Sequence, residues 1–393
     1  MEVIQSKLME RFTSSVFGII KDAIRDKEKT KTKVIDLSLG SPDLPPDERV
    51  RKTLATYSED ETMYYYTLTG LERFNEAVSD YYRRRSNVEL DPKTEVLQTM
   101  GSQEGLVHLP LAFCDPGDVV LTTDPSYVAY DTGIMLAHAE PYYMPLEKEN
   151  DFLPDLNSVP EDVLKRAKLL ILNLPGNPVP ARPTREFFEE VVRFAKKHHI
   201  LVLHDAAYSE YYFDGDGPIS FLSTPGAKEV GIEINSLSKS FSLAGARIAY
   251  IVGNKDAIHT MKVLKSNLDY GTFAPIQEAA ITALNHAEEI TDRLRAIFSE
   301  RHRLMTDGLS RLGWEYAPSK SGMFVWAKYP YQQLDDVAFV LKAIEQAGVA
   351  MVPGSTFGTR GKGYVRIALV QDVTLLEEAV ERLGKLELNK LVV

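Results

Sequence analysis

The chain has 393 residues, 44% of them hydrophobic, a formal net charge of −11 at neutral pH and one cysteine, Cys114. This length exceeds the size at which one core usually stops growing, so a large domain with a smaller companion is expected. The acidic balance argues against a nucleic-acid surface, which would show a basic patch or stripe, and a lone cysteine excludes an intramolecular disulfide or a cysteine metal cluster.

At the N-terminus no apolar signal-peptide core is seen, and nowhere do about 18 uncharged apolar residues run together, which predicts a cytoplasmic protein that does not enter membranes. Residues 1–45 predict a short amphipathic helix and an extended segment over 34–43 that breaks at Gly40 and Pro42. A strand-like stretch ends near Met100, and a helix is expected from Ser102. Short apolar runs at 119–122, 169–173, 200–204, 232–236 and 248–252 alternate with helical stretches. Such alternation predicts a largely parallel sheet covered by helices on both faces. From about 275 to 312 a long helical stretch, broken little by Gly or Pro, is expected to bridge two domains. Strands follow at 322–326 and 364–369, with helices near 335–347 and 375–386. The domains expected are 46–285 for the large one, and 1–45 together with 286–393 for the small one.

Polar groups stand at the ends of several strands. Asn177-Pro178 follows the run at 169–172, and Asp205 and Tyr208 follow the run at 200–204. Lys239 lies in Ser236-Leu237-Ser238-Lys239-Ser240-Phe241-Ser242-Leu243-Ala244-Gly245-Ala246-Arg247. Ligands of open α/β sheets bind in the crevice at the carboxyl ends of the strands, so these residues are expected to converge. Taken singly, each has an ordinary reading as well: Asp205 as a turn residue, Asn177 as an Asn-Pro turn, Gly101-Ser102 as a helix start, Tyr127 as one of 19 core or surface tyrosines. The eight histidines show no metal-binding spacing, and neither a G-x-S-x-G elbow nor a P-loop occurs.

Taken together, the spacings in six segments resemble those of pyridoxal 5′-phosphate enzymes of fold type I, in particular the class I/II aminotransferases. Within that class the stretches Met144-Pro145-Leu146-Glu147 and His204-Asp205-Ala206-Ala207-Tyr208 are most similar to the bacterial subgroup containing LL-diaminopimelate, alanine and aspartate aminotransferases. The resemblance implies a large domain with a mostly parallel seven-stranded sheet between helices, a smaller α+β domain from both termini, and a homodimer. It implies an amino acid and a 2-oxo acid as substrates of a ping-pong cycle.

The resemblance also assigns roles. Lys239 forms the internal aldimine and moves a proton; Asp205 pairs with the pyridine nitrogen; Tyr208 and Asn177 donate to the phenolate oxygen. Ser102, Gln103, Ser236, Ser238 and Arg247 cradle the phosphate, Tyr127 stacks on the ring, and Tyr65 reaches the phosphate in the neighbouring subunit. Arg366 clamps the substrate α-carboxylate, with Gly40 and Asn177 beside it, and side-chain selectivity falls to residues 15–19, the region of 270 and the partner subunit. One departure stands out: the usual N-P-T-G reads Asn177-Pro178-Val179-Pro180-Ala181 here, which leaves the path of the loop open. Two other outcomes are compatible with the same residues, a β-eliminating carbon-sulfur lyase and a non-catalytic cofactor-binding protein.

Overall fold

Continuous apolar runs suit strands buried on both faces, and the chain uses them to build one large sheet. The computed structural model describes residues 3–12, 16–215, 217–318 and 321–387. The large sheet has seven strands: β1 (Val96–Thr99), β2 (Val119–Asp124), β3 (Glu140–Pro145), β4 (Ala167–Asn173), β5 (Leu201–Asp205), β6 (Gly231–Ser236) and β7 (Ala249–Gly253). Their spatial order is β1-β7-β6-β5-β4-β2-β3. All pairs are parallel except those of β7, which runs against both β1 and β6. β1, β2 and β6 are buried at every position.

Helices Ser102–Phe113 and Lys255–Leu268 cover one face, burying Leu106, Leu109, Ile258 and Met261 against Leu203 and Ile232. On the other face, Arg185–His198 buries Phe188 and Val191. Each such side chain, fully removed from water, contributes about 1.5–3 kcal/mol.

A second, antiparallel sheet comprises β8 (Glu315–Tyr316), β9 (Phe324–Lys328), β10 (Val352–Pro353) and β11 (Tyr364–Ala368) in the order β10-β11-β9-β8. Ile35–Asp36 pairs in parallel with Val349–Ala350, tying the N-terminal segment to this layer. Among the described residues, no helix is long and apolar enough to cross a membrane.

Three expectations need correction. The helical stretch at 275–312 is two helices, Ala274–Asn285 and Ala287–Arg311, parted at His286, whose backbone leaves the helical region at φ −114°. No Gly or Pro causes the break. The first helix packs on Glu48–Ser58 and Glu72–Ser86, the second on Val373–Leu383, so the two serve different layers. The extended segment at 34–43 keeps only Ile35–Asp36 as strand, because its partner strand is two residues long. β3 was not expected; it is an edge strand with two prolines and half its residues exposed, so it carries no apolar run.

Candidate active site

Topology brings the site together before any side chain is considered. β1 to β6 all end on one edge of the large sheet, and the reversed β7 begins there, so residues after the former and just before the latter meet. Thr99, Asp124, Asn173, Asp205 and Ser236 close five strands at this edge, and Arg247 lies two residues before β7. A cavity of about 310 Å³ opens there. Lys239, Asp205, Tyr208, Tyr127, Asn177, Ser102, Gln103, Ser236, Ser238, Arg247, Gly40 and Arg366 all line it. Tyr65 does not: it is 51% exposed on the surface, between exposed Tyr64 and Tyr66.

Lys239 sits on the single turn Leu237–Ser240 that follows β6, capped by the Ser236 hydroxyl accepting from the Ser238 amide at 3.1 Å. The Tyr211 hydroxyl donates to the Lys239 carbonyl at 2.8 Å, and the Lys239 ammonium donates to the Gly40 carbonyl. Burial, reinforced by the charges of Arg366 and Arg247, lowers the Lys239 pKa from 10.5 to about 8, against an opposing pull from Asp205. A useful fraction of the amine is therefore neutral near pH 7, as a base or nucleophile requires.

Asp205, at the end of β5, is 4% exposed. It accepts from the Tyr130 hydroxyl at 2.8 Å and from the Ala207 amide at 3.2 Å. Burial still raises its pKa, with these bonds opposing. A buried carboxylate so placed gains most from a cationic N–H facing it. Asn173 closes β4 by donating to the Asp205 carbonyl at 2.8 Å and accepting from the Asn177 amide at 2.8 Å. Burial pushes the Tyr208 phenol well up and keeps it a donor, a hydrogen bond with Asn177 opposing.

At the opposite end, helix Ser102–Phe113 points its N-terminus into the cavity, preceded by Gly101 at φ 80°. A Cβ on Gly101 would overlap the Arg247 guanidinium, so only glycine lets that cation lie over the helix start. Among the described residues Arg247 has no carboxylate partner. Behind the helix start, Glu104 accepts from the Met100 amide at 2.6 Å and pairs with Lys265, which is 1% exposed and also holds Asp269.

Arg366, on β11, is 2% exposed. Its Nη1 donates to Asn177 Oδ1 at 2.8 Å and its Nη2 to the Ser38 carbonyl at 2.6 Å, while its Nε makes no hydrogen bond. The guanidinium stacks over Phe324 and Phe357, 4.4 and 5.1 Å from the ring centroids. Burial lowers its pKa to about 10, which leaves it charged at neutral pH. The loop after Asn177 turns at once, Gly176 donating to the Val179 carbonyl at 3.0 Å. Pro180 lies beyond that turn, its carbonyl accepting from Ser321 at 2.8 Å. The substitution therefore leaves Asn177 in the cavity.

Sequence reasoning missed Tyr130, Asn173 and Phe357; Phe17 also lines the cavity. Phe17 falls within the expected 15–19 segment, of which Ser15 lies outside the described residues. Only Asn173 carried a signal, as the last residue of an apolar run.

These groups fit pyridoxal 5′-phosphate. A phosphate dianion suits a helix N-terminus flanked by two serines and an arginine that donates to the Ala244 carbonyl and has no carboxylate partner among the described residues; a protonated ring nitrogen suits Asp205; an aldehyde suits a partly neutral lysine; and a planar carboxylate suits the Arg366 fork.

The aminotransferase class I and II family matches residues 32–383. An LL-diaminopimelate aminotransferase of Aquifex aeolicus is 42% identical over 365 residues, covering 93% of this chain and 94% of its own. One of Moorella thermoacetica is 41% identical over 377 residues, covering 95% and 96%. Among solved structures, substrate-bound BacF from Bacillus subtilis superposes with a TM-score of 0.94 at 35% identity, covering 99% of both chains. A probable N-succinyldiaminopimelate aminotransferase from Thermus thermophilus gives 0.89 at 37% identity, covering 94% and 100%.

Proposed function

The chain belongs to the class I and II aminotransferases, and from that premise we propose how its own residues divide the work. It is a pyridoxal-phosphate-dependent enzyme that moves an amino group from an L-amino acid to a 2-oxo acid in two half-reactions at one site. The carbon-sulfur lyase reading is set aside by the relatives, which are aminotransferases.

The cofactor, when bound, draws off the electrons released at the substrate Cα and carries the nitrogen between the half-reactions. Lys239 is the residue that would take the proton from the substrate Cα and return it two atoms away, in a 1,3-shift. Its lowered pKa serves that exchange, since a base works best with a pKa near the working pH. Asp205 holds a positive charge at the ring nitrogen, steadied by Tyr130. Tyr208 and the Asn177 amide are donors to the neighbouring oxygen. Ser102, Gln103, Ser236, Ser238 and Arg247, with the amides of the helix start, hold the phosphate. Tyr127, which lines the cavity, would pack against the ring. Arg366, fixed by Asn177 and Ser38, binds the substrate α-carboxylate beside Gly40 and so orients the Cα–H toward Lys239.

The protein works as a cytoplasmic homodimer, Tyr65 of each copy serving the phosphate of the other. Residues 46–285 form the large domain; 1–45 and 286–393 form the small one. The observation that carries this reading is the convergence of Lys239, Asp205, Arg247 and Arg366 on one cavity.

The test is a half-reaction. Holoenzyme given an amino acid and no oxo acid should release one equivalent of the matching 2-oxo acid per site and retain the nitrogen. Continuous release of ammonia and pyruvate would refute it.

A further inference from the structure

Beneath the site lies a buried charge pair that the reaction as described does not use. His204 precedes Asp205 on β5, and its side chain projects to the opposite face, as alternate strand residues do. It is fully buried, edge-on to Phe188 and Phe221 at 5.1 and 6.4 Å. Its Nδ1 is 2.9 Å from Glu233 Oε2, and its Nε2 is 2.8 Å from the Leu174 carbonyl oxygen.

A backbone carbonyl only accepts, so Nε2 must carry a proton. At Nδ1 the proton belongs either to the ring or to Glu233. The Glu233 carboxylate accepts from Tyr82 Oη at 2.6 Å, from Ser220 Oγ at 3.0 Å and from the Phe221 amide at 2.9 Å. The last two bonds fall on Oε2, the same oxygen that faces the ring. An oxygen already taking two donors is a poor place for a hydroxyl proton and a good place for negative charge.

The groups facing His204 are Glu233 on β6, Asp205 on its own strand, the Leu174 carbonyl on the loop after β4, and the two aromatic rings. Tyr82 and Ser220 reach it through Glu233. Its cationic form is favoured by Glu233 despite complete burial, and its charge in turn opposes protonation of Asp205.

The geometry points to His204 as a doubly protonated imidazolium, paired with Glu233, that acts as a positioning residue: it keeps the adjacent Asp205 ionised for the cofactor's ring nitrogen. Through Leu174 it also pins the loop that leaves Asn173 at the end of β4 and carries Asn177. This inference rests on the reading of Asp205 given above.

Two measurements test it. Neutron diffraction of perdeuterated wild-type holoenzyme at pH 7.5 should show a hydrogen or deuterium nucleus on both ring nitrogens of His204 and none on Glu233; a bare ring nitrogen, or a protonated Glu233, overturns the proposal without recourse to a variant. In addition, His204→Gln, which keeps a donor but not the charge, should bind pyridoxal phosphate about tenfold more weakly. Its affinity for the analogue with carbon in place of the ring nitrogen should change less than about twofold. Equal losses for both compounds would show a merely structural role and overturn it. Wild-type protein that binds the two compounds equally would instead sink the reading of Asp205.

Discussion

Replacing Lys239 by methionine should abolish turnover and yet stabilise the cofactor-stripped protein. The amine is held in a setting that lowers its pKa from 10.5 to about 8. At about 1.4 kcal/mol per pH unit, keeping the ammonium charged in the fold costs about 3 kcal/mol. Methionine has similar length and no charge, so it removes that penalty. It also forfeits the hydrogen bond to the Gly40 carbonyl, worth about 1 kcal/mol. The net gain is about 2 kcal/mol at pH 7.

The sign follows from proton binding. Between about pH 8 and 10.5 the unfolded chain holds the Lys239 proton and the folded chain has lost it, so wild-type stability rises with pH across that window. Below about pH 8 the penalty is fully present. The advantage of the variant should thus be complete at pH 7 and near zero by about pH 9.5, where a remaining penalty of about 1 kcal/mol is offset by the lost hydrogen bond. Urea midpoints of both stripped proteins, at equal concentration and at pH 6.5, 8 and 9.5, measure this. A variant no more stable than wild type at pH 6.5, or an advantage that grows with pH, would refute the electrostatic account of Lys239. Turnover, measured on the reconstituted proteins, should drop at least about 10³-fold, as loss of an essential base implies.

Gly101→Ala should weaken cofactor binding at least about tenfold, since the new methyl displaces Arg247 and φ 80° strains any other residue; unchanged affinity in a titration of stripped protein would show that Arg247 does not serve the phosphate. Arg366→Lys should lower kcat/KM for every amino acid by about 10²-fold, one lost charge-assisted fork being worth about 1.5–3 kcal/mol. A loss confined to one donor would mean that Arg366 reads side chains. Tyr130→Phe removes a donor to the charged form of Asp205, raising further a pKa that burial already raises. The pH below which cofactor is released should move up, and an unmoved release curve would assign that role elsewhere.

Much of the site was legible because its residues stand at the ends of apolar runs. Asn173, Asp205 and Ser236 each close a buried strand; the apolar run before Asn173 ends at that residue and the run before Asp205 ends one residue earlier at His204, whereas the strand of Ser236 already carries Glu233 and Asn235. The chemistry of Lys239 and Arg366 was legible in kind, because a lysine among serines near an arginine and an arginine within an apolar strand are both uncommon arrangements. Tyr130 was not. It lies inside helix Ala129–Leu136 as one tyrosine among many, and only folding places its hydroxyl 2.8 Å from Asp205.

The sequence by itself thus determined the strand–helix alternation, the sheet's buried strands and the chemical character of the cavity, since these depend on local periodicity and on residue type. Tertiary structure decided the rest. It split the helix at His286 without Gly or Pro, added the exposed edge strand Glu140–Pro145, and set the left-handed Gly101 beneath Arg247. It also lowered the Lys239 pKa, which required burial together with Arg247 from the same segment and Arg366 from a distant one. Such features depend on distance and dielectric between segments far apart in sequence, quantities that exist only once the chain has closed on itself.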